Sequence, residues 1–368
     1  MGKGKRVLTL CMMLPLLLLS GCSEYIEIEN RDILTSMFVS KQEDRIMIGG
    51  GIANVRNFSS NMEEPVSLIF AEGSSLNEAR VRLMESADHK LFYGAARALV
   101  FENNYAENGI SEFLFHFKND SRSRLGIDMF TTSTDPREIV RYKAVNDFSG
   151  GFAAESIAKT LIKDGYMPRC SVSDALEALT EQKVGFILPN IEIQDEIMRI
   201  TGYSIFDGDK KVGFIPTGEE AAVNYLLSDT ARYSYYTEAE GSTFLCHVTM
   251  TDKQIDVEKS SDGQLKIGIS LAFEGDIDEL SSVKAVGADM RKSLSQTLSQ
   301  TILDEVYQTT ERAREMSCDF LGFYRTYQSK YRYDFDQEDW KSMIHQADIT
   351  ADVTVDIKSS GMIHSDYE

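Results

Sequence analysis

Apolar and polar positions change period several times along the chain, and each change marks an element. The segment ILTSMFVSKQEDRIMIGGGIANVRN (33–57) is apolar, continuously or alternately, on both sides of KQEDR, which predicts two strands around a turn. In GSSLNEARVRLMESADHKLFYG (73–94) the period lengthens. Leu76, Ala79, Leu83 and Ala87 form one helical face, and Ser75 with Glu78 makes a capping box at its start. The strand AARALVFEN (95–103) and a helix from NGISEFLFHFKND (108–120) follow. After the strand-like LGIDMFTTS (125–133), Asp135 caps another helix, with Pro136 at its first position and Glu138 at its third. This alternation over 30–165 predicts a mixed α/β unit whose strand sense is not fixed by the pattern.

From Tyr203 the pattern becomes YSIFDGDKKVGFI, a hairpin turning at Asp207-Gly208-Asp209-Lys210. Glu219-Glu220-Ala221-Ala222-Val223 opens a short helix, and SDTARYSYYTEAEGS (228–242) reads as a loop. Three strands are then expected, at STFLCHVTM, KQIDVEKSS and QLKIGISLAFEG, the last two separated by Asp262-Gly263. A long helix over Ala288–Ser317 would bury Leu294, Leu298, Ile302, Val306 and Ala313, and ITADVTVDIKSSG (349–361) closes the chain as a strand.

The first residues follow another logic. Lys3, Lys5 and Arg6 precede an apolar run from Val7 to Leu19, the length of a signal-peptide core and too short to span a bilayer. Leu19-Ser20-Gly21-Cys22 then matches the lipobox of bacterial lipoproteins, an apolar residue and two small ones before a cysteine. That resemblance implies that residues 1–21 are removed and that Cys22 receives a diacylglycerol thioether. Two acyl chains, at roughly 0.8 kcal/mol per buried methylene, make a stable anchor that does not cross the membrane.

The chain carries a formal net charge of −20. Without residues 1–21 it holds 35 basic against 58 acidic residues, a charge of −23 that disfavours nucleic acid and anionic lipid as partners. Its 368 residues exceed one ordinary core and imply two or three domains. Beyond Cys22, Cys170, Cys246 and Cys318 fit neither a zinc site nor a CxxC pair, and isolated buried thiols are the better reading.

A catalytic constellation is not visible. His89, His116, His247, His345 and His364 are scattered, without HExxH or an i, i+4 pair, and no Gly-x-Ser-x-Gly elbow occurs. The acid pairs Glu63-Glu64, Glu219-Glu220 and Asp276/Asp278 lack calcium-loop spacing and read as solvated loop ends. Gly49-Gly50-Gly51 has no following Lys-Ser/Thr and reads as close strand packing. Phe320, Phe323, Tyr324, Tyr327, Tyr331 and Tyr333 are either a core edge or a ligand cage. No cofactor or metal is expected.

Four landmarks in order resemble the Ger(x)C family, the lipoprotein C subunits of nutrient germinant receptors in bacterial spores. They are Cys22 with the acidic stretch Ser23-Glu24-Tyr25-Ile26-Glu27-Ile28-Glu29, then the Gly-Ser-Ser helix leading through His89-Lys90-Leu91-Phe92-Tyr93-Gly94-Ala95-Ala96-Arg97 into a strand. Next come the hairpin with Phe206, Lys211, Val212 and Gly213 before Glu219, and the long helix ending in Cys318-Asp319-Phe320-Leu321-Gly322-Phe323, followed by Trp340 and a Val-Thr-Val strand. Ser23 stands where the family usually has Trp, and Ser36-Met37-Phe38-Val39 replaces its common Gly-Ile-Asp pattern.

The resemblance implies an α+β fold of three domains, with mixed sheets and a long C-terminal helix packed on a sheet. The expected division is a signal peptide at 1–21, an α/β domain at 22–200, a hairpin-containing middle region at 201–235 and a C-terminal sheet and helix domain at 236–368. It implies a non-catalytic, lipid-anchored protein on the extracytoplasmic face of the spore inner membrane, partnered by membrane-spanning A and B subunits. The sequence names no nutrient pocket. A solute-binding lipoprotein of an importer explains the lipobox as well, but predicts two similar lobes around a hinge, whereas the two halves of this chain differ.

Overall fold

The computed structural model describes residues 31–53, 66–120, 123–143, 149–239, 242–261, 263–279, 287–331 and 339–360. Two sheets organise them. The first holds β1 (Arg31–Gln42), β2 (Arg45–Ala53), β3 (Val66–Gly73), β4 (Lys90–Phe92), β5 (Ala98–Glu102), β6 (Asp128–Thr132), β7 (Phe186–Gln194), β8 (Ile197–Asp207) and β9 (Lys210–Pro216). Its order is β3-β2-β1-β5-β6-β7-β8-β9, with β4 beside the start of β1. The middle run β1-β5-β6-β7 is parallel and the outer pairs are antiparallel, so the α+β class takes the form of a mixed sheet. Its central strands are buried at consecutive positions because both faces are covered: Phe38, Val39, Val100, Phe101 and Phe130 are buried, as are the polar Thr35, Ser36, Ser40, Thr131 and Thr132 among them.

Parallel neighbours need crossovers. These are supplied by α1 (Leu76–Ser86), α2 (Asn103–Asn108), α3 (Ser111–Asn119), α4 (Pro136–Arg141), α5 (Gly150–Lys163) and α6 (Val172–Glu181). In α1 the Ser75 hydroxyl accepts from the Glu78 N–H (3.2 Å), and Leu76, Ala79 and Leu83 are buried. The reciprocal half of the box is displaced by one residue: Glu78 accepts from the N–H (2.7 Å) and hydroxyl (2.6 Å) of Ser74. The three glycines lie inside β2, where a Cβ on Gly50 would collide with the Ser36 carbonyl oxygen of β1. The predicted hairpin is the outer part of this sheet, since β8 pairs with both β7 and β9 and the sheet runs through residue 200 without interruption.

The second sheet is β10 (Arg232–Ala239), β11 (Ser242–Lys259), β12 (Leu265–Glu279) and β13 (Asp348–Ser360), in that order, parallel only between β12 and β13. The stretch expected as a loop at 228–242 therefore contains a strand. Its Tyr-rich run pairs residue for residue with β11, a partner that local pattern does not reveal.

The two strands expected at 242–261 are one. A bulge between Met250 and Asp252 shifts the inward-facing set from even positions (Phe244, Cys246, Val248 and Met250, all buried) to odd ones (Lys253 and Ile255 half-buried, Val257 buried), which breaks the alternation without breaking the strand.

The helix α8 (Ala288–Glu315) packs across this sheet through Leu294, Leu298, Ile302, Val306 and Ala313. It also closes the sheet's edge. The Ser299, Ser295 and Tyr307 hydroxyls accept from the β13 N–H groups of Val355 (3.0 Å), Ile357 (3.3 Å) and Ala351 (3.1 Å). The remaining helices are α7 (Ala221–Leu227), α9 (Phe323–Lys330) and α10 (Trp340–His345).

Candidate functional site

The chain turns back on the first sheet as α8 ends. Cys318 Sγ donates to the Phe206 carbonyl (3.5 Å) and the Gly185 N–H donates to the Asp319 carbonyl (2.9 Å). Only a glycine tolerates this approach at 185, where a Cβ would lie 2.6 Å from the Phe206 oxygen and 2.7 Å from Cys318 Sγ. The buried Asp319 carboxylate accepts from the N–H groups of Phe323 (2.9 Å) and Tyr324 (2.7 Å) and from Trp340 Nε1 (3.0 Å), so it caps α9 and ties α10 to it. Burial pushes this carboxyl up to about 6, against the pull of its donors. Tyr324 and Tyr327 pack on Trp340, with ring centroids 5.2 and 5.4 Å away.

A cleft of about 670 Å³ opens beside this junction. One wall is Pro168–Ser171 with the start of α6, another is Val184–Leu188, and the far side is Lys253 and Ile255 of β11 with Phe320–Phe323 and Arg325. Buried apolar residues, among them Val184, Leu188 and Phe320, are part of its lining. Its rim is charged with both signs, Arg169, Lys253 and Arg325 against Asp174, Glu177 and Asp229. Lys253 donates to the carbonyls of Leu226 (3.3 Å) and Ser228 (2.6 Å) at the end of α7, and burial lowers its ammonium below the ordinary range. Arg325 pairs with Glu181 across the junction (3.0 Å). Cys170 in the lining is held as the thiol, its pKa raised well above the ordinary value by burial, and the Ser171 hydroxyl is engaged by Asp174 (2.6 Å). No histidine is among the residues lining the cleft.

The lipobox and Cys22 lie outside the described residues. Cys170, Cys246 and Cys318 are free and buried, and burial raises Cys246 to about 11 and Cys318 to about 12. The histidines stand apart: His89 by Asp32 (3.3 Å), His116 by Arg80 (3.1 Å), His247 by Ser234 (2.8 Å) and His345 by the Arg314 carbonyl (2.9 Å), with His364 outside the described residues.

Of the acid pairs, Glu63-Glu64 is also outside, Glu219 meets Arg312 (2.9 Å), and Asp276 and Asp278 fall within β12. Phe320, Phe323, Tyr324 and Tyr327 are core and Tyr331 is half-buried, while Tyr333 is outside the described residues. Two sequence landmarks meet in space, since Phe206 of the hairpin touches Cys318 of the Cys-Asp-Phe-Leu-Gly-Phe segment.

Other working residues gave no local signal. Asp209 at the hairpin tip accepts from the Ser111 hydroxyl (2.5 Å) and N–H (3.4 Å), capping α3 from afar. Glu192 accepts from the N–H groups of Ser133 (2.7 Å) and Thr134 (3.0 Å), from both their hydroxyls and from Asn190 Nδ2 (2.7 Å). These donors outweigh desolvation and hold its carboxyl below the ordinary value. Among the described residues no helix is long and apolar enough to cross a membrane, and no three His, Cys, Asp or Glu side chains group to hold a metal ion.

Residues 24–193 match the family model described as "Spore germination protein N-terminal domain", and residues 201–361 match "Spore germination B3/ GerAC like, C-terminal". Spore germination protein KC of Bacillus subtilis (strain 168) is 21% identical over 376 residues, covering 92% of this chain and 90% of that protein. The crystal structure of the GerBC protein matches with a TM-score of 0.56 at 11% identity, over 88% of this chain and 96% of that one, a likeness of fold. Both halves are matched in order by the family's two domain models, and a relative aligns over nearly the whole chain, so the chain belongs to the Ger(x)C family of spore germination proteins.

Proposed function

We propose that this chain is the lipid-anchored C subunit of a nutrient germinant receptor, held at the extracytoplasmic face of the spore inner membrane. It acts without catalysis, by docking on membrane-spanning A and B subunits. The observation that carries this reading is the order of parts: a lipobox ending at Cys22 stands directly ahead of residue 24, where the match to the germination family begins. An anchor at that point confines the folded body to a thin layer beside the membrane and raises its effective concentration for partners embedded there. The junction cleft, lined by apolar side chains and by charges of both signs, suits a polypeptide loop.

The solute-binding alternative needs two like lobes, whereas a nine-stranded mixed sheet faces a four-stranded one backed by a single long helix. Mass analysis of the protein from spore membranes tests the anchor. A mature chain starting at Cys22 with a diacylglycerol thioether, lost in Cys22→Ala, is expected. An unlipidated chain starting elsewhere overturns it.

A further inference from the structure

The topology of the first sheet relates the start of the folded chain to the junction cleft. Strands β1, β5, β6 and β7 are parallel, so their starts share one end. Ser36 pairs with Ala98 and Ala98 with Asp128, which puts the start of β6 level with Ser36. Asn190 pairs with Thr131, Thr131 with Phe101 and Phe101 with Val39, so Phe186 at the start of β7 stands level with Thr35. Arg31 therefore leads at that end. The cleft walls Pro168–Ser171 and Val184–Leu188, which flank the starts of β6 and β7, sit just behind it.

Distance makes this placement matter. From Cys22 to Arg31 the chain has nine residues, which span at most about 30 Å. Three strand spacings, about 14 Å, separate β1 from β7. With Cys22 acylated, the cleft is thus held within about 45 Å of the bilayer surface, at the end of the sheet from which the tether leaves. Its rim also carries charges that the fold does not use. Arg169 and Glu177 are exposed, and neither side chain has a hydrogen bond or close ion pair among the described residues.

We propose that the strand-start end of the first sheet faces the membrane and that the cleft receives a juxtamembrane loop of an integral membrane protein, an inference that rests on the anchored-subunit reading above. An acidic side chain of the loop meets Arg169, a basic one meets Glu177, and an apolar one enters between Val184, Leu188 and Phe320. Lipid head groups are the poorer occupant, because a body of charge −23 repels anionic ones.

Photo-crosslinking in intact spores tests this, with the full mature chain carrying benzoylphenylalanine in place of Arg169, Glu177 or, at the opposite end of the sheet, the exposed Asp44 between β1 and β2. Positions 169 and 177 should each give adducts with an integral membrane protein, mapped by mass spectrometry to peptides adjoining a membrane-spanning segment, and position 44 should give none. Adding Arg169→Glu should abolish the adducts from 177. A membrane-bound chain whose rim positions give no such adducts, adducts to phospholipid only, or no more than position 44 gives, overturns the docking face. Adducts from 177 that persist in Arg169→Glu overturn the charge pairing. A chain missing from the membrane fraction overturns the anchored reading itself, and the docking face with it.

Discussion

Asp319 gathers three N–H donors onto one carboxylate, and each would be stranded without it. Asp319→Ala should cost about 2–4 kcal/mol, since a buried donor left unpaired costs about 1–3 kcal/mol. Urea unfolding followed by the fluorescence of Trp340, the single tryptophan, reads the loss directly. The same group sets a pH dependence. Its folded pKa of about 6 stands above the ordinary 3.8, so its contribution is most favourable below pH 3.8, declines as pH rises to about 6 and is level beyond. Asp319→Asn should remove that decline. The three described thiols should be silent to a thiol reagent at neutral pH in the native chain and react together on unfolding, because burial keeps each protonated.

The edge of β13 is an unusual use of a helix, because hydroxyls on α8 take the place of a next strand. Replacing Ser295 and Ser299 together by Ala strands the N–H groups of Ile357 and Val355. It should destabilise the protein by about 1–3 kcal/mol and lower the thermal midpoint, while Thr297→Ala, on the exposed side of the helix, should change little.

Elements with a local signature were legible in the sequence: α1 from Ser75, α4 from Asp135-Pro136, and α8 from its apolar stripe. Elements defined by a partner were not. Strand β10 is recognisable only beside β11, and β11 looked like two strands because its bulge reverses the buried phase. Helix α6 carried a signal that the pattern reading missed, a capping box of Ser171 and Asp174. The junction was illegible for a simpler reason, since Phe206 meets Cys318 and Asp319 meets Trp340 only after folding.

At the scale of the whole molecule, two unlike sheets share one buried core, and the ion pairs that span their junction, Arg325–Glu181 (3.0 Å), Lys341–Asp207 (2.5 Å) and Arg312–Glu219 (2.9 Å), are largely solvent-exposed. Exposed pairs contribute about 0–1 kcal/mol each, so raising salt should leave overall stability nearly unchanged, as a denaturation series would report. What fixes the junction is Asp319 and the apolar packing around it. In the proposed receptor role, Cys22 is the point of attachment and the strongly acidic body with its charged cleft is the surface offered to membrane partners.

The most direct measurement is germination of spores whose only copy of this chain carries Cys22→Ala, scored nutrient by nutrient beside wild-type and deletion spores. Loss of the response to one nutrient class, matching the deletion, together with loss of the chain from the inner-membrane fraction is the predicted result. A wild-type response to every nutrient in both the variant and the deletion spores would contradict a receptor role.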